Sequence, residues 1–344
     1  MKRRSFFSAL GTAAASTTLG VPSLTRAAED AAAGLPRRLH ERTGLKISII
    51  AFPGLALIHG DQEQCTAAIH DAFRRGVNYF DVAPAYGDGD AEIKMGIGLQ
   101  GIDRSDYLLA CKTGVRDKNG ARKELEQSLE RLKTDYFDVY QLHCLRRVDD
   151  VEQALGPGGA METFLEAKKE GKVRHLGFSA HTTKAALAAM KRFRFDTVMF
   201  PINFVEFFLL GFGKPVLELA AKQGAGVLAI KMLSHGAWPK DMERTRRWWY
   251  RCVEKKEQID LAVRFTLSQQ PVLTGICPSF FDLLDKVIEA GKSFRPITED
   301  ETQQLRNIAQ TCESLFRREQ QDVARATPSS EAIWPECPHE CRPG

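Results

Sequence analysis

Short apolar runs alternate with amphipathic segments along the chain from residue 46 to residue 290. The runs are rich in β-branched and aromatic residues, which strands favour. Most are apolar at nearly every position, a pattern typical of parallel strands that are covered on both faces. The predicted strands are Lys46–Phe52, Val77–Ala83, Tyr107–Thr113, Tyr136–His143, His175–Ala180, Thr197–Ile202, Gly226–Met232 and Pro271–Cys277.

The segments between these runs have helical periodicity. In the first of them, Cys65 and Ile69 lie on one apolar face of the predicted helix. Near the end of the chain, the spacing of Thr298 and Glu301 predicts a capping box that opens a final helix to about Gln320. Further helices are predicted at Met161–Glu170, Lys184–Phe193, Pro215–Gln223, Glu257–Ser268 and Phe280–Ala290.

This alternation predicts the fold class. Eight strands alternating with helices over roughly 250 residues indicate a closed (β/α)8 TIM barrel, an α/β fold. We assign the barrel to residues 36–320 as a single domain, and an irregular tail to residues 321–344. An open, doubly wound sheet is the alternative; it is less favoured because no Gly-rich phosphate fingerprint follows the first predicted strand.

One segment, Trp238–Glu257, interrupts the alternation before the last helix–strand unit. It combines several Arg residues with Trp248 and Trp249, and we interpret it as an exposed amphipathic helix. Its aromatic residues and the run Phe204–Phe208 offer apolar surface above the predicted barrel. That surface either lines a substrate pocket or packs the insertion.

The first 28 residues have the three-part layout of an export signal. A basic start is followed by an uncharged, Ala-rich stretch and then by small residues suited to cleavage. Arg3 and Arg4 stand just before Phe6 and Phe7, which favours a twin-arginine signal over an ordinary secretory signal or an uncleaved tail. We therefore expect the twin-arginine export machinery to be a partner and the mature protein to be periplasmic or otherwise exported.

Composition and charge narrow the other partners. The chain has 48 Lys and Arg against 44 Asp and Glu, and the signal segment supplies four of the basic residues and no acid, so the mature protein is near neutral. This balance suggests neither nucleic acid nor a membrane surface as a partner. No later apolar run is long enough to span a membrane.

Near the C-terminus, Cys337, His339 and Cys341 could hold a metal with help from elsewhere, but we interpret them as part of a disordered tail.

Four polar residues lie at or just beyond the ends of successive predicted strands. Asp81, Lys112 and His143 lie at or near the C-terminal ends of the second, third and fourth strands, and Tyr86 lies in the loop after the second. In a (β/α)8 barrel these strand ends face the active site. Each residue alone could be a strand-end ion pair or a capping group, but together the four predict a catalytic group.

The four side chains have complementary chemistry. A phenol has a pKa near 10, and an adjacent ammonium lowers that pKa by stabilising the phenolate. A carboxylate paired with the ammonium holds it in place, and an imidazole can hydrogen-bond a substrate oxygen. Such a set can protonate a carbonyl oxygen as its carbon receives a hydride, or deprotonate an alcohol as its carbon loses one.

Six motifs between residues 38 and 295 stand out: Gly76–Asp81, Ala85–Gly87, Cys111–Thr113, Ser128–Leu132, Asp135–His143 and Glu170–Ser179. On these motifs, residues 38–295 resemble the aldo-keto reductase family, in particular a bacterial branch. The resemblance implies a (β/α)8 barrel that reduces an aldehyde, ketone or sugar carbonyl with NADP as cofactor, NAD being possible. It implies that Tyr86 is the general acid, that Lys112 and Asp81 tune it, and that His143 orients the carbonyl.

The same resemblance places the cofactor at Ser179, Met199, Lys231 and Ser279. Ser179 matches a residue that contacts the nicotinamide carboxamide, whereas Ala180 stands where an Asn is usual. Met199 stands where a Gln commonly completes that clamp. Ile230 or Lys231 takes the place of an aromatic residue that stacks on the ring, and no metal is expected.

Two questions stay open at this point. The loop containing Ser279 lacks the basic pattern that grips a 2′-phosphate; Lys286, Lys292 or Arg295 could supply it or could lie on solvated helix faces. The missing clamp residues also support an alternative function, an exported nucleotide-binding barrel with a sensing or scaffolding role and little turnover.

Overall fold

The computed structural model describes residues 34–324. The export signal predicted at residues 1–28 lies outside the described residues, and so do Cys337, His339 and Cys341. The predictions for these segments therefore stay predictions.

A two-stranded antiparallel hairpin, β1 (Arg37–Leu39) and β2 (Lys46–Ser48), precedes the barrel. The prediction of one continuous strand over residues 46–52 is wrong in this respect, because only the second half of that run enters the barrel. Ser48 marks the division: its hydroxyl donates to Ile50 O at 2.7 Å, and its backbone N–H donates to Asn78 Oδ1 at 2.8 Å. These local bonds end the hairpin before the barrel strand begins.

Eight parallel strands then form a closed barrel in which the last strand pairs with both the first and the seventh. The closed circle confirms the predicted (β/α)8 barrel and excludes the open sheet. The barrel strands are β3 (Ile50–Pro53), β4 (Tyr79–Asp81), β5 (Leu108–Thr113), β6 (Phe137–Leu145), β7 (Val173–Ala180), β8 (Thr197–Pro201), β9 (Gly226–Ile230) and β10 (Val272–Ile276).

Helices surround the barrel and cover the outer faces of its strands, and buried apolar residues of both form one large core. None of the helices described in residues 34–324 is long and apolar enough to cross a membrane. The α-helices are α1 (Gln62–Arg74), α2 (Asp90–Gly98), α3 (Lys118–Leu132), α4 (Val148–Leu155), α5 (Ala160–Lys169), α6 (Thr183–Arg192), α7 (Phe204–Leu210), α8 (Lys214–Gln223), α9 (Lys256–Ser268), α10 (Phe281–Lys292), α11 (Glu299–Ala309) and α12 (Arg317–Ala324).

The helix predicted in the insertion Trp238–Glu257 is wrong. The chain between β9 and α9 is irregular and folds back on itself through a bridge between Ser234 and Cys252. Tertiary contacts fix it: Arg246 makes two hydrogen bonds to the carboxylate of Asp282, at 2.5 and 3.0 Å. The insertion is therefore a lobe packed onto the mouth of the barrel.

The final predicted helix is interrupted. The capping box of Thr298 and Glu301 is confirmed by reciprocal bonds of 3.3 and 2.9 Å. However, α11 ends at Ala309, and α12 begins only at Arg317 and crosses the predicted barrel boundary at residue 320. The break follows from the buried carboxylate of Glu206 on α7, which accepts hydrogen bonds from Ser314 Oγ and Leu315 N at 2.6 and 2.7 Å.

Candidate active site

Asp81 and Lys112 form a buried ion pair at the C-terminal ends of neighbouring strands. Asp81 is the last residue of β4, and Lys112 lies near the end of β5. Lys112 Nζ donates to Asp81 Oδ2 at 2.5 Å and to Val82 O at 2.9 Å. Since the Lys112 side chain has no exposed surface, its position is set by these acceptors rather than by water.

Tyr86 completes the contact from the loop after β4. Lys112 Nζ lies 3.3 Å from Tyr86 Oη, within hydrogen-bond distance. An ammonium at this distance favours the phenolate over the phenol, which helps the phenol to release its proton. The Lys112 ammonium thus bridges the phenol of Tyr86 and the carboxylate of Asp81.

His143 stands beside Tyr86 at the end of β6. Their rings pack edge to face, with centroids 5.8 Å apart and an interplanar angle of 81°. Arg116 donates to the backbone carbonyl of His143 at 2.8 Å, which helps to hold that strand end in place. The structure therefore brings together all four residues predicted to be catalytic.

The electrostatics of this group are governed by burial. Burial raises the pKa of Asp81, while the Lys112 ammonium and a hydrogen bond from the Gln141 side chain oppose that rise. Gln141 Nε2 donates to Asp81 Oδ1 at 3.3 Å from the interior of β6. Sequence reasoning missed Gln141, although an amide inside an otherwise apolar strand run is a signal, because a buried amide needs partners.

The four residues predicted to hold the cofactor line the same cavity as Asp81, Tyr86 and His143. Ser179 and Met199 lie on β7 and β8, Lys231 directly follows β9, and Ser279 lies in the loop after β10. They thus come from the four strands that follow β4, β5 and β6 around the barrel. Lys112 does not line this cavity. The cavity is lined by Pro53, Gly54, Leu55, Asp81, Tyr86, His143, Ser179, His181, Met199, Ile230, Lys231, Trp248, Trp249, Tyr250, Ile276, Cys277, Pro278 and Ser279.

Ser179 and Met199 offer different contacts to a nicotinamide ring. Ser179 Oγ accepts a hydrogen bond from Cys144 N at 2.7 Å, and a hydroxyl that accepts still has its own O–H to donate. That donor fits the carboxamide of a nicotinamide. Met199 supplies only an adaptable apolar surface, and Ala180 is buried and supplies no polar group.

Lys231 contacts two side chains, those of His181 and Trp249, that the sequence did not indicate as its partners. Its Nζ lies 3.3 Å from His181 Nε2, and His181 Nδ1 lies 3.3 Å from Cys144 Sγ. Lys231 Nζ also lies over the ring of Trp249, 5.0 Å from its centroid. These contacts hold the ammonium at the cavity wall.

The insertion supplies an aromatic wall that sequence analysis left undecided. Trp248, Trp249 and Tyr250 are 5%, 7% and 2% exposed and line the cavity, so this part of the apolar surface belongs to the pocket. Phe204–Phe208 does not line it and instead forms α7.

The three candidates for a 2′-phosphate contact pair with acids instead. Lys286 lies 3.9 Å from a carboxylate oxygen of Asp282, Lys292 contacts Glu289 at 2.8 Å, and Arg295 contacts Glu301 at 2.7 Å. None of them lines the cavity. These pairings fit the solvated-helix-face interpretation of Lys286 and Lys292. Arg295 is also exposed but lies in the loop between α10 and α11, so the helix-face interpretation is wrong for it.

Comparison with known proteins agrees with this geometry. A model of the aldo/keto reductase family matches residues 58–310. The chain belongs to the aldo/keto reductase family.

Curated members of the family are similar over part of their length. L-galactose dehydrogenase from Arabidopsis thaliana is 37% identical over 153 residues, which are 40% of this chain and 46% of the relative. Methylglyoxal reductase DkgB from Escherichia coli O157:H7 is 26% identical over 200 residues, which are 57% of this chain and 71% of the relative. The chain spans about half the length of the first of these.

Solved structures share the fold. The holo form of aldo-keto reductase AKR11C1 from Bacillus halodurans has a TM-score of 0.65 and 22% identity, and covers 83% of this chain and 99% of its own. The glycerol dehydrogenase AKR11B4 from Gluconobacter oxydans has a TM-score of 0.59 and 20% identity, and covers 84% of this chain and 96% of its own. At these identities the similarity shows the aldo-keto reductase barrel and no more.

Proposed function

We propose that this protein is an NAD(P)-dependent oxidoreductase that interconverts a small carbonyl compound and the corresponding alcohol. The observation that carries the proposal is the pair of contacts that Lys112 makes with Asp81 and Tyr86, beside His143, at the mouth of an aldo/keto reductase barrel. Relatives named for dehydrogenation of L-galactose and reduction of methylglyoxal support this reaction class.

Each of the four residues has a distinct role in the proposed reaction. Tyr86 donates the phenolic proton to the carbonyl oxygen during reduction and takes it back during oxidation. Lys112 stabilises the resulting phenolate, and Asp81 holds Lys112 in place. His143 orients the carbonyl oxygen toward Tyr86 through a hydrogen bond.

The residues at the cavity fit a nicotinamide dinucleotide. When bound, that cofactor supplies the hydride. The Ser179 hydroxyl would hold the carboxamide, Met199 would pack against the ring, and Lys231 and Ser279 would contact the remainder of the cofactor. We propose NADPH as the cofactor by family resemblance. NADH is the alternative, because Lys286, Lys292 and Arg295, the candidates for binding a 2′-phosphate, pair with acidic residues outside the cavity.

A direct assay tests the proposal. The purified protein is mixed with NADPH or NADH and with a panel of aldehydes, ketones and sugars, and absorbance at 340 nm is followed. We expect cofactor oxidation with at least one carbonyl class, and a lower KM for one of the two cofactors. If the protein binds cofactor, as measured by fluorescence titration, but oxidises it with no carbonyl, a sensing or scaffolding role is favoured instead.

We also propose that the protein is exported through the twin-arginine route. The support is the Arg3-Arg4 pair and the layout of residues 1–28. Replacing both residues by Lys should keep the charge and hold the protein in the cytoplasm, as judged by fractionation of cells that express the full chain. Unchanged export of the double variant would contradict the twin-arginine route.

A further inference from the structure

A buried amide lies directly below the proposed catalytic group. Gln141 sits inside the barrel on β6, is fully buried, and is the register partner of Lys112 on β5. On its other side it is in register with Gly177 on β7. It lines no part of the cavity and so has no direct route to a substrate.

The two oxygens of Asp81 are held by different donors. Gln141 Nε2 donates to Oδ1 at 3.3 Å, and Lys112 Nζ donates to Oδ2 at 2.5 Å. The terminal torsion of an Asp side chain has a broad energy profile, so one donor leaves the carboxylate free to rotate. Two donors, one on each oxygen, fix its plane and thereby the direction in which it holds the Lys112 ammonium.

The barrel keeps space for this amide. A Cβ atom added at Gly177 would lie 3.1 Å from Gln141 Cγ and would clash with Thr197 Oγ1 on the next strand. The absent side chain at this position therefore lets Gln141 lie across the interior of the barrel and reach Asp81. The amide has one orientation that suits the carboxylate, since its carbonyl end would repel a negative charge.

We propose that Gln141 is a positioning residue, which fixes Asp81 so that Lys112 stays directed at Tyr86. The inference rests on the proposed oxidoreductase function and adds a residue to it that does not touch the substrate. Coupling runs through three consecutive contacts, from Gln141 to Asp81, from Asp81 to Lys112 and from Lys112 to Tyr86.

The charge state of Asp81 agrees with this role. The Gln141 N–H favours the ionised carboxylate and opposes the effect of burial, which raises the pKa of Asp81. Lys112 on β5 is the charged group that faces Asp81. Tyr79 lies on β4, the strand of Asp81, and is close enough for the negative charge of Asp81 to raise the pKa of its phenol further. Removing the amide should raise the pKa of Asp81, so the ionised carboxylate would be lost at a higher pH.

The test uses Gln141→Leu, which keeps the bulk of the side chain and removes the donor. We expect kcat/KM to fall about 10- to 100-fold, the usual range for losing a hydrogen bond to a charged group. The acid limb of the pH profile should move to higher pH. Thr197→Val, on an interior position two strands away, is the matched control and should leave both the rate and the profile unchanged.

A double-mutant cycle separates positioning from general support of the fold. In an Asp81→Asn background, Gln141→Leu should lower kcat/KM by less than about threefold, because the negative charge that Gln141 binds is already absent. An equal loss in both backgrounds, or an acid limb that does not move, would overturn the inference.

One readout is independent of turnover. Carbon-13 NMR titration follows the Asp81 carboxyl, assigned by its absence in Asp81→Asn, and its pKa should be higher in Gln141→Leu than in the wild type. An unchanged pKa would overturn the positioning role even if no substrate is found. If the pKa moves as expected and no carbonyl is reduced, the proposed function fails and the Gln141–Asp81 coupling stands.

Discussion

Tyr86→Phe is expected to lower kcat about 10²- to 10⁴-fold, the range for losing a general acid. The substitution removes only the hydroxyl, so the edge-to-face packing of the ring on His143 is kept. Without the phenolic hydroxyl, the proposed proton donor to the carbonyl oxygen is gone. Binding of NADPH, measured by fluorescence titration, should stay within about twofold of the wild type, because the predicted cofactor contacts come from β7 to β10 and the loops after them and not from Tyr86.

A second tyrosine gives the matched control. Tyr107 is also buried, but it precedes β5 and so lies at the opposite end of the barrel from the cavity. Its ring packs edge to face on Phe80, a contact that Tyr107→Phe keeps. That variant should retain full turnover. Near-normal turnover of Tyr86→Phe would rule out its role as the general acid.

The catalytic residues could be located from the sequence because the barrel topology by itself brings them together. In a parallel barrel, every strand delivers its C-terminal end to the same face, so residues 31 and 62 positions after Asp81, namely Lys112 and His143, become neighbours of it. Continuous apolar runs identified the strands, and the last ionisable residue of the second, third and fourth runs marked the active-site end.

The insertion could not be predicted in the same way. Its Arg and Trp residues are compatible with helical spacing, and what decides its conformation is contact with distant residues. Arg246 bonds Asp282 on α10, and Trp238 Nε1 donates to the backbone carbonyl of Trp248 at 2.7 Å. The pattern of apolar and polar residues within the insertion predicts neither contact. The aromatic wall of the pocket could therefore be identified only from the three-dimensional structure.

The hairpin before the barrel shows a similar limit. The run from Lys46 to Phe52 is apolar enough to be read as one strand, yet β2 pairs with β1 and only β3 enters the barrel. Ser48 is the one uncharged polar residue in that run, and its hydrogen bonds stabilise the bend between β2 and β3. A polar residue inside an apolar run was the available signal here, as it was at Gln141.

Lys112→Met is expected to abolish measurable turnover and to destabilise the protein by about 3–5 kcal/mol, the usual cost of removing one partner of a buried ion pair. Methionine is similar in length but leaves Asp81 without the ammonium 2.5 Å away, in a site where neither side chain is more than 4% exposed. The free energy of unfolding is measured by urea denaturation. The exposed pair of Arg122 and Glu170 is the matched control. Arg122→Met should lower the free energy of unfolding much less than Lys112→Met, because water screens that pair.

The double variant Asp81→Asn and Lys112→Met distinguishes stability from catalysis. Removing both charges leaves a neutral amide and a thioether in the barrel, so most of the lost unfolding free energy should return. Turnover should not return, because no ammonium is left to stabilise the phenolate of Tyr86. Recovery of turnover with stability would mean that the pair only supports the fold. Stability without turnover would show that the ammonium is needed for the chemistry itself.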